Sequence, residues 1–336
     1  MVSALTGFVL FIILLLALDL GAFHRRPRAI TFKESMIWSA VWIGTSIAFA
    51  LVIYDGYERH RLGLGTTVDA VDGHFNDGIS AVGKYLTAYL LEKALSVDNL
   101  FVIALIFRFL AVPAEQQHKV LFWGILGALI ARGALIAVGV ELIRHYHWVF
   151  YVFGAFLAFT GARLLAFPER PPDPARDPVL RLVRRVLPVT SRYRGGRFLT
   201  IENGRRALTP LALALILVET SDIVFATDSV PAVFAVTDDP LLVYTSNILA
   251  VLGLRSLYFA LAGLLERFRH MQVSLSMILI LAGCKMIAGR WLKQAAGEYA
   301  SYYLLAVVAL LLAAGIVASV FFQRRSARIA NELPHL

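Results

Sequence analysis

The chain has 336 residues, of which 59% are hydrophobic and only 16% charged, against about 25% charged in soluble proteins. That balance excludes a disordered chain and argues against a soluble globular one. A single cysteine, Cys284, excludes a disulfide-stapled fold and a thiolate metal cluster. The formal net charge of +9 would suit nucleic acid, but no nucleic-acid motif accompanies it. The arginines instead gather in short clusters between apolar runs, as membrane topology requires.

A helix needs about 20 apolar residues to cross about 30 Å of hydrocarbon. Nine runs approach or exceed that length: Ser3–Ala22, Ser35–Tyr54, Ala81–Val112, Val120–Ile143, Trp148–Phe167, Pro210–Val236, Leu241–Leu265, Val273–Gly289 and Ala300–Phe322. The first lacks a basic leading segment and a small-residue cleavage site, so it is expected to remain as a helix. The third would measure about 48 Å if straight, which predicts tilt or interruption. Thr209-Pro210 and Asp239-Pro240 each read as an N-cap followed by proline at the first helical position. The proline-rich, arginine-rich stretch 168–206 reads as a linker; within it Pro178–Leu187 is either an amphipathic helix on the membrane or a solvated segment. Placing 23–34, 108–119, 168–206, 266–270 and 323–336 on one side collects 21 lysines and arginines there and leaves 5 in the loops of the other. The positive-inside rule then puts the N-terminus outside and the C-terminus in the cytoplasm.

The two halves resemble each other across the linker. Glu92-Lys-Ala-Leu-Ser-Val-Asp98-Asn99 matches Asp222-Ile-Val-Phe-Ala-Thr-Asp228-Ser229. Gly124 to Arg132 matches Asn247 to Arg255, and Gly161-Ala-Arg163 matches Gly283-Cys-Lys285, in the same order. A repeat of three helices starts its second copy from the opposite face. The expected architecture is therefore an all-α polytopic membrane protein of about nine transmembrane helices with two inverted three-helix repeats, an arrangement found in secondary transporters. Residues 1–80 supply two helices and an outer loop, 81–167 the first repeat, 168–206 the basic linker, 207–289 the inverted second repeat, and 290–336 the last helix and tail.

Glu92, Asp98, Glu219, Asp222 and Asp228 all fall inside apolar helices. Unpaired, five such acids would cost about 12–18 kcal/mol on translocon-based scales, so they must be paired, protonated or ligating an ion. Lys93, Arg132, Arg255 and Lys285 are the candidate charge-balancing partners. At 100° per residue Glu92, Ser96 and Asn99 share one face, as do Asp222, Ala226 and Ser229, whereas Asp98 and Asp228 lie about 120° away. Gathering all the acids into one cage requires local unwinding or two flanking partner helices. Pro231 cannot bond the Thr227 carbonyl and is the expected helix break. Carboxylate, amide and hydroxyl oxygens at Glu92, Asp98, Asn99, Glu219, Asp222, Asp228 and Ser229 suit Mg²⁺, Ca²⁺ or Mn²⁺.

These residues carry a resemblance. Glu92-Lys-Ala-Leu-Ser-Val-Asp-Asn-Leu-Phe-Val, Glu219-Thr-Ser-Asp-Ile-Val-Phe-Ala-Thr-Asp-Ser-Val-Pro-Ala and Thr245-Ser-Asn-Ile-Leu-Ala-Val-Leu-Gly-Leu-Arg resemble the signature segments of the TerC/Alx family of bacterial membrane proteins, tied to tellurium resistance and manganese export. The resemblance implies export of Mn²⁺ as the transported ion across a cytoplasmic (inner) membrane, with the five acids as its ligands and no enzymatic cofactor. The expected partners are a divalent metal ion, the lipid bilayer and protons in exchange; no nucleic acid is expected, and the sequence names no protein partner. Two other readings stand beside transport: an intramembrane aspartyl hydrolase using Asp98 and Asp228, and a non-transporting metal-binding scaffold linked to tellurium or metal stress. The hydrolase lacks the Gly-x-Gly-Asp setting, so the expectation is that the protein is not an enzyme.

Overall fold

A computed structural model describes residues 2–23, 31–167, 177–190, 192–202, 204–261, 271–296, 303–315 and 317. The basic cluster after the first span, the first part of the linker, the loop at 262–270 and the basic tail lie outside the described residues. The chain is built from α1 (Val2–Phe23), α2 (Phe32–Glu58), a single 3-10 turn at Arg61–Gly63, α3 (Gly78–Phe109), α4 (Ala114–His145) and α5 (His147–Ala166). After these come α6 (Pro178–Val186), the strands β1 (Leu199–Glu202) and β2 (Arg205–Leu208), and α7 (Pro210–Phe234). The last helices are α8 (Pro240–Leu252), α9 (Leu254–Leu261), α10 (Met271–Ala296) and α11 (Tyr303–Gly315).

Short polar caps start the helices. Asp77 accepts from Ser80 N–H and Thr31 from Glu34 N–H, each completing a reciprocal capping box. Thr209 and Asp239 cap α7 and α8 ahead of their prolines, as the dipeptides predict. Among the described residues, four helices (α2, α4, α5 and α7) are long and apolar enough to cross a membrane, or five if the bent pair α8–α9 is one span. Helix α3 has the length, but Glu92, Lys93 and Asp98 within it lower its apolar character. Leucines, isoleucines and phenylalanines such as Leu51, Ile130 and Phe159 stay exposed on the outward faces, as a lipid-facing surface requires.

One expectation about helix continuity, the break at Pro231, is corrected, and for α3, expected to be tilted or interrupted, interruption is excluded. Helix α3 is one unbroken helix, and α7 passes through Pro231 and ends three residues later at Phe234. Pro231 still cannot bond the Thr227 carbonyl, but only three helical residues follow it, so a kink there has almost no helix left to redirect. The break lies instead at Gly253, where α8 and α9 meet at a 40° bend. A Cβ at Gly253 would stand 2.8 Å from the Lys93 ammonium and 3.2 Å from Trp42 Cβ, so a side chain there would displace Lys93 and press on Trp42.

Helices of one half pack on their sequence counterparts in the other: α3 on α7, α4 on α8, and α5 along α10. The α5–α10 contact is close because small residues face it. A Cβ at Gly161 would come 2.7 Å from the Ser276 carbonyl, and one at Gly283 would come 2.5 Å from the Gly154 carbonyl. The matched Gly-x-basic tripeptides thus place both glycines in this contact.

The linker is more than loop. Asp177 caps α6, whose Leu180 is buried in the same apolar cluster as Phe107, Val120 and Leu217, so α6 packs onto the bundle. β1 and β2 form an antiparallel hairpin pairing Leu199 with Leu208. The Tyr193 hydroxyl donates to the Leu110 carbonyl and Lys119 Nζ to the Gly196 carbonyl, tying the linker to the α3–α4 turn. At the opposite end, Ala70 N–H donates to Asp238 at 2.9 Å, tying the 59–77 loop to the α7–α8 turn.

Candidate functional site

The centre of the bundle holds one charged cluster drawn from four helices. Glu92 and Asn99 stand on one stripe of α3, Asp222 and Ser229 on one stripe of α7, and Arg132 projects from α4; all are buried. Arg132 forms an ion pair with Glu92 through Nη1 and holds Asp222 in a two-pronged grip, Nη2 to Oδ1 at 2.9 Å and Nε to Oδ2 at 3.0 Å. Its Nη1 also donates to Ser229 Oγ at 3.2 Å. Asn99 Nδ2 donates to Asp222 Oδ1 at 2.7 Å, and Asn247 Nδ2, from α8, donates to Glu92 Oε2 at 2.9 Å. Straight helices thus suffice to gather Glu92 and Asp222, because α4 and α8 flank them with donors.

The groups joined directly to Arg132 set two carboxylates against one guanidinium, one negative charge in excess among themselves, with Lys93 acting on Glu92 electrostatically from further off. Glu219, one turn before Asp222, is half-buried and within electrostatic reach of it. Its carboxylate fills the space over Gly127 of α4, where any Cβ would collide with it. Asp98 and Asp228 are half-buried and partnered, and neither is among the groups bonded to Arg132. Lys93 donates to the Ala250 carbonyl at 2.7 Å, at the C-terminal end of α8 beside the Gly253 break, a favourable place for a cation. Arg255 is buried and partnered. Among the described residues no three His, Cys, Asp or Glu side chains are grouped so as to hold a metal between them. Two carboxylates with amide and hydroxyl oxygens are nevertheless the donor chemistry of a hard dication.

Over residues 78–327 the sequence matches the TerC integral membrane protein family. The chain belongs to the TerC family. An uncharacterised membrane protein of Myxococcus xanthus is 43% identical over 320 residues, 95% of this chain and 92% of that one. The protein described as membrane-bound redox modulator Alx in Escherichia coli strain K12 is 40% identical over 282 residues, 84% of each chain. An uncharacterised membrane protein of Rickettsia bellii is 37% identical over 313 residues, covering 93% of this chain and 95% of its own. No solved structure matches.

This TerC family member carries a second charged cluster that the sequence reading did not single out. Lys84, buried in the second turn of α3, donates to Asp69 at 2.8 Å, Asp72 at 2.6 Å and Asn76 at 2.6 Å. Asp69 also accepts from the Thr237 hydroxyl and bonds Asp238 across the loop contact. Burial works to raise the Asp69 carboxyl, but the Lys84 ammonium together with hydrogen bonds from Asp238, Lys84 and Thr237 outweighs it and holds the group at about 2. Burial, then the Asp69 charge, pushes the Asp238 carboxyl up to about 7. At neutral pH the pair is therefore a carboxylate beside a carboxyl group that is about half protonated. Lys285, expected to balance the central acids, senses Asp69, Asp72 and Lys84 instead. Sequence depth along a helix placed it in the membrane but did not fix the side it faces. The signal for this cluster was present as Asp69, Asp72, Asn76 and Asp77 followed by a lysine one turn into a helix.

Proposed function

We propose that the protein exports a hard divalent cation, with Mn²⁺ as the expected cargo, through a site centred on Glu92 and Asp222. The supporting observation is that one carboxylate from each half of the chain meets on a single arginine, in a cluster short of positive charge. In this reading Arg132 stands in for the cargo: it holds the acids when no cation is bound and yields them when one arrives. Asn99 and Ser229 add neutral oxygens, and Glu219, Asp98 and Asp228 line the route on the same two helices. The halves act as inverted repeats within a nine-span bundle that rocks about the site, with the linker on the cytoplasmic side. Carboxylates that release a dication outward take up protons for the return.

The relatives named for redox modulation do not redirect this reading, since a single cysteine provides no intramolecular dithiol. The test is uptake of Mn²⁺, Ca²⁺ and Mg²⁺ into proteoliposomes by the natural chain and by Glu92→Gln and Asp222→Asn. Transport of Mn²⁺ that is abolished in both variants supports the reading; equal transport by all three proteins rejects it. Mn²⁺ transport with no change of lumenal pH rejects proton exchange alone.

A further inference from the structure

The central cluster contains three oxygens that its hydrogen bonds do not use. Asn99 and Asn247 each direct their amide N–H to a carboxylate, Asp222 and Glu92 respectively, which turns their carbonyl oxygens away from those acids. Both carbonyl oxygens are buried and accept no hydrogen bond among the described residues, and the buried Ser96 hydroxyl is likewise unpaired. The isolation of Ser96 is unlike its surroundings. Ser46, Thr87, Thr220, Ser221 and Ser246 all donate to the carbonyl four residues earlier in their own helices, the usual refuge for a buried helical hydroxyl. Ser96 lies four residues after Glu92 and three before Asn99, on the stripe that faces the cluster.

A buried acceptor without a donor is costly, and here three such oxygens belong to side chains that hydrogen-bond the two carboxylates or stand one turn from Glu92 on its own helix face. Arg132 has donors to offer, yet they go to Glu92, Asp222 and Ser229. A metal ion differs from a guanidinium in that it binds carbonyl and hydroxyl oxygens as readily as carboxylates. Together with Glu92, Asp222 and Ser229, the three unused oxygens bring the oxygen-bearing side chains to six, a number that hard dications take.

We propose that Ser96 and Asn247, with Asn99, complete the cation site, their uncharged oxygens binding a hard dication held between Glu92 and Asp222. The inference rests on the cation-transport reading and adds ligands from α3 and α8. Asn247 makes α8 a direct participant, so the cation touches α3, α7 and α8 at once.

The experiment uses the full chain purified in detergent, with radioactive Mn²⁺ in equilibrium dialysis and thermal unfolding in EDTA. Ser96→Ala removes a hydroxyl that makes no hydrogen bond, so its unfolding temperature in EDTA stays equal to or above that of the natural chain. Its Mn²⁺ affinity falls about tenfold, as does that of Asn247→Ala, the size of effect seen when one supporting group of a metal site is lost. Glu92→Gln serves as the reference for the underlying reading and loses binding altogether. Should Ser96→Ala bind Mn²⁺ as the natural chain does while Glu92→Gln does not, the added ligands are refuted and the reading survives. Should Glu92→Gln bind normally, both are overturned. A Ser96→Ala protein that melts early in EDTA also overturns the inference, because it would show the hydroxyl serving the fold.

Discussion

Arg132→Met is the most informative perturbation of the central cluster. It keeps the length and apolar character of the side chain but strips Glu92 and Asp222 of their shared counter-ion. Both carboxylates are nearly inaccessible, at 0% and 5% side-chain exposure, so water cannot replace the guanidinium without opening the bundle. Removing one partner of a buried ion pair costs about 3–5 kcal/mol, which at about 2–4 °C per kcal/mol for larger domains lowers the melting temperature by about 10 °C. In the proposed reading the same substitution also removes the competitor of the cation. Mn²⁺ is therefore expected to stabilise Arg132→Met more than the natural chain, recovering about 2.7 kcal/mol when present at 100 times its dissociation constant. The assay is thermal unfolding of purified protein in detergent, in EDTA and over a Mn²⁺ titration, followed by tryptophan fluorescence. A variant that melts with the natural chain in EDTA would show that Arg132 does not hold the acids. Equal Mn²⁺ shifts in both proteins would show that arginine and cation do not share a seat.

Glu219 stands one turn before Asp222 without a hydrogen-bond or ion-pair partner among the described residues, which makes it the carboxylate positioned to receive a displaced Arg132. Glu219→Gln is expected to weaken Mn²⁺ binding about tenfold in the natural background and not at all in Arg132→Met; equal effects in both would refute that handover. Gly283→Val puts a methyl-bearing Cβ onto the α5 backbone at Gly154 and Ala158, where neither partner can retreat. A loss of about 1–3 kcal/mol is expected in thermal or denaturant unfolding. The Asp238 carboxyl is raised in the folded state, so the stability it contributes is full below its ordinary value near 4 and is lost as pH rises through about 7. Hydrogen exchange over residues 66–77, corrected for intrinsic rates, is expected to quicken between about pH 6 and pH 8; Asp238→Asn should abolish that pH dependence.

Helical periodicity made half of the central site legible. The spacing of Glu92, Ser96 and Asn99, and of Asp222 and Ser229, follows from 100° per residue alone, and the cost of buried acids named the class of partner they need. Arg132 was recognisable as that partner by its depth in an apolar helix. That it would serve both halves at once depends on how α4 lies against α7, which no single-helix pattern contains. Asn247 stood in plain view as the counterpart of Gly124 in the repeat, yet a neutral amide in an apolar run announces nothing until a carboxylate is found beside it. The reverse error arose at Pro231, where a residue that breaks helices stands too near a helix end to matter. The true break fell at Gly253, a residue common in membrane helices and so a weak signal. The Lys84 cluster was lost because loops have no period, and its acids acquire meaning only when the α7–α8 turn closes over them.

The charge count of the central cluster bears on whether it exists for the fold or for a cargo. Buried ion pairs are poor fasteners, since well-packed apolar residues of similar volume often hold a bundle as firmly. If Glu92, Arg132 and Asp222 only joined helices, one acid fewer would join them at lower cost. Lys93 does not make up the deficit, because its ammonium is turned to the Ala250 carbonyl and supports Glu92 only at a distance. A dication cancels the two carboxylates exactly where one guanidinium cannot. The one uncompensated acid represents about 2.5–3.5 kcal/mol on translocon scales, whereas moving a two-state equilibrium from 1:99 to 99:1 takes about 5.5 kcal/mol of preference. In the proposed reading, neutralising that acid with a dication supplies about half of the preference a full switch needs, and the contacts of the cation with neutral oxygens must supply the rest.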